Sequence, residues 1–316
     1  MLEVLKVTFP FFALVLCGYL AVRRAMLPQT AIPGLNSFVL FFALPCLLFR
    51  FGSETPIANL LDPVAFGIYL ASALVVVALT LVFTLGGRIG WNDASFGALT
   101  AAFPNSGFMG VPLLVTLLGE RAAAPVIVTI VVDLIFTTSL CIALSRLGDD
   151  AAGARTGVLR ALRGVLGNPM PWAILFGGLF SAMHFQLYGP LDKTIGLLAN
   201  AASPVALFSI GAVLARSRMA ARKRTPWRDY VPVAIIKLFL HPLLVLLMSA
   251  AAHHAGLALE TPTIVALALV AALPSASTVT LLAERYGADS GRIARIILVS
   301  TAVSFLSFSA CVALLT

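Results

Sequence analysis

The segment Phe103-Pro104-Asn105-Ser106-Gly107-Phe108-Met109-Gly110-Val111-Pro112 lies inside a long apolar run and cannot continue it as one regular helix. Proline lacks a backbone donor, and its ring strikes the carbonyl four residues back. Glycine adds freedom and admits another backbone at close range. Two prolines and two glycines in so short a stretch predict an unwound segment, with Pro104, Gly107 and Gly110 at its centre. A partner break is expected at Pro274, followed by Ser275, Ala276, Ser277 and Thr278.

The surrounding sequence sets the solvent. Apolar residues make up 60% of the 316 and charged residues only 11%, against about 25% charged in soluble domains. This is the composition of a polytopic membrane protein, so the net charge of +8 has to be read by position and does not imply nucleic acid. The four cysteines, Cys17, Cys46, Cys141 and Cys311, lie in apolar runs without CxxC spacing and read as packing residues. No metal-ligand cluster or nucleophile–base pair stands out, so neither an enzyme nor a cofactor is expected. The run Val4–Val22 is too long for a signal-peptide core of about 7–15 residues and reads as a first span.

Apolar stretches of about 20 residues fall near 3–22, 31–50, 64–86, 94–118, 122–145, 169–187, 191–215, 230–252, 261–283 and 292–315. Of the 21 Lys and Arg residues, 16 flank the loops that follow odd-numbered spans and 4 lie on the other side, leaving Lys237 within a span. Basic residues collect in cytoplasmic loops, so these loops are expected inside and both termini outside. The basic loop Arg216–Arg228 also suits anionic lipid headgroups.

An all-α membrane protein with ten spans invites a test for duplication. Ala43–Gly52 (ALPCLLFRFG) matches Ala202–Gly211 (ASPVALFSIG) at an offset of 159. Ala98–Pro104 (ALTAAFP) matches Ala268–Pro274 (ALVAALP) at 170, and Ser139–Leu144 matches Ser309–Leu314 at the same offset. We therefore expect a first five-helix repeat over 1–150, a cytoplasmic linker over 151–168 and a second, inverted repeat over 169–316. An odd number of spans per copy inverts the second copy, the pattern of secondary transporters.

Helices restarting after Pro104 and Pro274 would present free N–H groups and positive dipole ends. Two such ends meeting at midplane suit a carboxylate, with Asn105, Ser275 and Ser277 as further donors. Asp133 lies roughly 18–20 Å along the helix from both Arg121 and Arg146. A carboxylate at that depth costs at least about 2.5–3.5 kcal/mol, so a partner or a proton is expected. Proton coupling and a structural hydrogen bond, for instance to Thr129 or Thr137, both account for it. Lys237 can face the cavity and pair with Asp133 or an anionic substrate, or it can snorkel.

These residues bring the chain close to a known family. Asn36–Phe51 (NSFVLFFALPCLLFRF), Pro104–Leu114 (PNSGFMGVPLL), Asn168-Pro169, Lys237 five residues before Pro242, and AALP followed by AERYGAD at Ala271–Asp289 resemble the auxin efflux carrier family. That family includes plant auxin exporters and bacterial malate or malonate permeases. The resemblance implies helices four and nine crossing at their prolines, an elevator-like movement against a scaffold, a homodimer in the lipid bilayer, and an organic anion as substrate. It places Asn105 on the substrate and adds Asn168. The long cytoplasmic loop of plant exporters is missing; Arg146–Asn168 stands in its place, as in a bacterial inner-membrane member. Sodium-coupled uptake of a larger amphipathic anion, as in bile-acid symporters, and a non-transporting sensor or lipid-binding scaffold are the competing readings.

Overall fold

The computed structural model describes residues 2–54, 62–147, 169–185, 187–220, 225–257 and 259–316. The linker expected over 151–168, with Asn168, lies outside the described residues. Among the described residues the chain is helical, with no strand and two isolated backbone bridges. In chain order the helices are α1 (Leu2–Arg23), α2 (Gln29–Glu54), α3 (Pro63–Thr84), α4 (Trp91–Ala102), α5 (Ser106–Leu118) and α6 (Glu120–Leu144). They continue with α7 (Pro169–Ala182), α8 (Gly189–Ala220), α9 (Val231–His254), α10 (Thr261–Ala272), α11 (Thr278–Arg285) and α12 (Ser290–Leu315). Six of them, α2, α3, α6, α8, α9 and α12, are long and apolar enough to cross a membrane. The apolar runs over 94–118 and 261–283 each occur as two shorter helices, α4 with α5 and α10 with α11.

Local chemistry explains the boundaries. Asp62 caps α3, its carboxylate accepting from the N–H groups of Val64 and Ala65 at 2.9 and 3.0 Å, and Pro63 occupies the first turn, where no N–H is needed. Asp289 caps α12 in the same way, accepting from the Arg292 N–H at 2.9 Å. Four helical stretches widen to π geometry: Val39–Ala43, Ser106–Gly110, Val132–Thr137 and Ile236–Leu240. Three of them end two residues before Pro45, Pro112 and Pro242. There the missing proline N–H and its ring displace the regular bonding. The fourth has no proline. Its loosened turn is tied by hydroxyls, with Thr138 Oγ1 donating to the Asp133 carbonyl at 2.7 Å and Thr137 Oγ1 to the Val132 carbonyl at 3.4 Å.

Two groups of helices result. In one, α1 runs along α8, and α2 packs on α7 and α8. Glycine sets both close approaches: a Cβ on Gly18 would overlap the Phe208 carbonyl, and one on Gly211 the Val15 carbonyl. Likewise a Cβ on Gly177 would overlap the Phe49 carbonyl, and one on Gly52 would sit 3.1 Å from the Ile174 carbonyl oxygen. Small residues are how helices draw together when lipid offers apolar side chains the same environment as a neighbour does. In the other group, α3 packs on α4 and α9, and α10 on α6, α9 and α12. Arg292 pins one end of this group: its Nε donates to the Asp229 carbonyl and its Nη1 to the Asp93 carbonyl, both at 2.7 Å. Large apolar side chains such as Phe83, Phe176, Leu197 and Leu306 are exposed around the outside, where a soluble protein would carry charge.

Candidate functional site

The helices on either side of the two breaks stop where their prolines dictate. α4 ends at Ala102 and α10 at Ala272, each followed by extended backbone at Phe103 and Leu273. The two extended pieces lie antiparallel, Pro104 opposite Ser275. Asn105 N–H donates to the Pro274 carbonyl at 2.8 Å, and Ala276 N–H to the Phe103 carbonyl at 2.9 Å. Each break thus satisfies part of the other's exposed backbone. The Ser275 N–H is taken by Ser300 Oγ at 3.2 Å. Gly110 completes the junction: a Cβ there would stand 3.0 Å from Leu273 Cδ1.

Part of what the junction leaves unpaired faces a cavity. Among the described residues the N–H groups of Gly107, Phe108, Ser277 and Thr278 find no acceptor. The Asn105 side-chain amide, on a residue only 4% exposed, makes no hydrogen bond among the described residues. Pro104, Asn105, Gly107, Phe108 and Thr278 line a cavity of about 230 Å³. Leu40 and Leu44 of α2 and Met170 of α7 form its opposite wall, so the space lies between the two helix groups. Its walls are mostly apolar, and no Asp or Glu among the described residues lines it.

The other expected site residues divide. Ser277 is half-buried and lines a small adjoining pocket with Asn36 and Arg216. Ser275 is 1% exposed, and its hydroxyl is buried without a partner outside the cavity lining. Asp133 and Lys237 are not at the cavity either. Both are fully buried in the second helix group, each on one of the π turns.

There they anchor a sealed polar cluster. Tyr69 Oη donates to Asp133 Oδ2 at 2.9 Å, and Thr137 Oγ1 to Asp133 Oδ1 at 3.3 Å. Lys237 Nζ lies 3.2 Å from His241 Nδ1 and donates to the Ala271 carbonyl at 2.7 Å. The Tyr69 and His241 rings, 5.6 Å between centroids, join the two halves. The Ala271 carbonyl is an orphan of the α10 C-terminus, and a cation there complements the helix dipole. Asp133 and Lys237 share this cluster without forming an ion pair within 4.0 Å.

Comparison with known proteins now says what kind of molecule carries this geometry. A family described as membrane transport protein matches residues 3–312. The chain belongs to that family. A "Putative malonate transporter" of Rhizobium meliloti (strain 1021) is 31% identical over 310 residues, covering 96% of this chain and 93% of the relative. The "Uncharacterized transporter YfdV" of Escherichia coli (strain K12) is 26% identical over 309 residues, covering 95% and 92%. "Auxin efflux carrier component 8" of Arabidopsis thaliana is 26% identical over 268 residues, covering 67% and 72%. The protein is therefore an integral membrane transporter and not an enzyme.

For this membrane transport protein, sequence reading passed over several residues that the fold brings to the site. Tyr69 looks like one more apolar position of α3, and only its hydroxyl on Asp133 distinguishes it. Thr138 lines the cavity but reads as an ordinary span residue. Arg285, at the end of α11, also lines it. Its signal is present in the AERYGAD motif, where it counts as a family mark and as one of the basic residues that set orientation, but not as a cavity residue.

Proposed function

We propose that the protein moves a small organic anion, a mono- or dicarboxylate, through the junction of its two broken helices. The observation that carries this reading is the floor of the cavity. There, among the described residues, unpartnered N–H groups at the starts of α5 and α11 and a free Asn105 amide stand together, with no carboxylate in the lining. Helix starts with free donors bind anions, and neutral donors hold a carboxylate without an ion pair that would oppose release. The relative named for malonate is consistent with this class.

The reading extends to architecture. We take the protein as two inverted repeats of five spans, with α4–α5 and α10–α11 as the crossed fourth and ninth spans. The glycine contacts support this, since Gly18 with Gly211 and Gly177 with Gly52 are related by the repeat offsets to within one residue. The basic loops then face the cytoplasm, with both termini outside. A cavity walled by α2 and α7 on one side and by the junction on the other suits an elevator, in which the second helix group slides against the first. We assign the sealed Asp133 cluster to coupling, with protons as the coupling ion, and a homodimer as the assembly.

The test is uptake of radiolabelled malonate, malate and succinate into proteoliposomes. Asn105→Ala is expected to lower the rate about 10-fold, equivalent to about 1.4 kcal/mol. Unchanged transport by that variant would remove the junction as the site. The apolar cavity walls favour, as a second reading, sodium-coupled transport of a larger amphipathic anion. Transport that persists at full rate in sodium-free buffer rules that out.

A further inference from the structure

Two arginines stand apart from the charged groups already accounted for. Arg292 is buried, and its Nε and Nη1 are taken by the Asp229 and Asp93 carbonyls. Arg216 on α8 and Arg285 on α11 have no hydrogen bond or ion pair among the described residues, yet both line space that opens on the junction. Arg285 lines the main cavity together with Pro104 and Asn105. Arg216, half-buried, lines the adjoining pocket with Asn36 and Ser277. The two spaces share Leu40, Phe108 and Thr278 as walls. Among the described residues neither is lined by an acidic side chain: Asp133 is turned into its own cluster, and Glu284, beside Arg285, is exposed and outside both linings.

We infer that Arg216 and Arg285 form a cationic rim that draws the anion into the cavity before it reaches the neutral donors at the junction. α11 separates Arg285 from Thr278 by seven residues, roughly 10 Å of helix. The rim is therefore a first station and the junction a second. The planar fork of a guanidinium matches a carboxylate in both geometry and charge. A cleft of one sign with apolar walls focuses field lines and raises the arrival rate of the opposite charge by about 10–10³-fold, less so as salt rises. Arg285 and Arg216 also belong to the basic loops, so anions should meet this rim from the cytoplasmic face in the orientation proposed above.

The inference rests on the cavity being the transport path, and the experiment separates the two. Radiolabelled malonate, malate and succinate are each offered to proteoliposomes of known protein orientation, on either face, at low and high ionic strength. The wild type is compared with Arg285→Gln, Arg285→Lys, Arg216→Gln/Arg285→Gln and Asn105→Ala. We expect the double variant to raise KM about 10-fold on the face bearing Arg285, with the maximal rate within about 2-fold, and to lose most of its salt dependence. Arg285→Lys keeps the charge and should stay within about 3-fold of wild type. Arg285 is exposed, so its single variants test the rim even where the double variant fails to fold. If Arg285→Gln and the double variant keep wild-type KM and salt dependence while Asn105→Ala still slows transport, the rim is refuted and the site stands. A wild type that exchanges none of the three anions overturns both.

Discussion

The membrane-embedded polar groups of this protein form two regions that solve opposite problems. At the junction of α4–α5 with α10–α11 the polar groups are neutral, few and left open: one amide and a handful of backbone donors at the base of a cavity. In the cluster around Asp133 they are ionisable, sealed and partnered, by Tyr69 and Thr137 on one side and by His241 and Ala271 on the other. A charge at mid-span therefore does not by itself mark the place where a ligand binds. In lipid a carboxylate or ammonium must be paired or neutralised, and the pairing that makes it tolerable also encloses it. The open site uses groups whose desolvation costs little enough that they can stay unpartnered until an anion arrives. Lys237 links the two regions, because the carbonyl it caps is three residues upstream of Pro274.

The sharpest way to break this contrast is to empty the sealed cluster. Asp133→Leu strips Tyr69 and Thr137 of their acceptor and Lys237 of its nearby opposite charge. It should cost about 1–3 kcal/mol for each hydroxyl left without its acceptor, seen as a marked fall of thermal stability in detergent. Asp133→Asn keeps the shape and should fold, but transport should no longer respond to an imposed proton gradient. A folded Asp133→Asn that still follows the gradient would detach the cluster from coupling.

Asn105→Ala comes next in size. The predicted loss of about 10-fold in rate should come with a stability change of at most about 0.5 kcal/mol, because the amide has no protein partner to lose. A large stability loss would mean that the open site is structural after all.

Tyr69→Phe should be milder, about 0.6–1.7 kcal/mol, the range for buried hydrogen bonds in membrane helices, and is read by chemical or thermal unfolding. The smallest effect is expected for Ser277→Ala, which borders only the adjoining pocket. Malonate uptake within about 2-fold of wild type is the predicted result, and a loss as large as that of Asn105→Ala would move Ser277 into the main cavity.

Some of this was legible in the chain. Pro104, Pro274 and the glycines around them act through hard-sphere contacts with their own neighbours, so the ends of α4 and α10 could be read a few residues at a time. The depth of Asp133 and Lys237 followed from counting along a helix. Their partners did not, because Tyr69 is 64 residues from Asp133 and Ala271 is 34 from Lys237. The sequence allows Lys237 to face the cavity, and its stem is long enough for that. The orphan carbonyl at the end of α10 holds it elsewhere. The π turns were partly legible: those before Pro45, Pro112 and Pro242 have a local cause, while the one at Asp133 depends on hydroxyls packed around it.

By itself, then, the sequence determined the solvent, the helical class and the places where the helices stop, because apolar composition and proline stereochemistry act locally. Only the tertiary structure decided that the two stops meet, Pro104 against Ser275, and that Asn105 opens onto a cavity while Asp133 and Lys237 do not. Those outcomes are set by which orphaned backbone and buried charges satisfy one another across the fold, a competition among partners far apart in the chain.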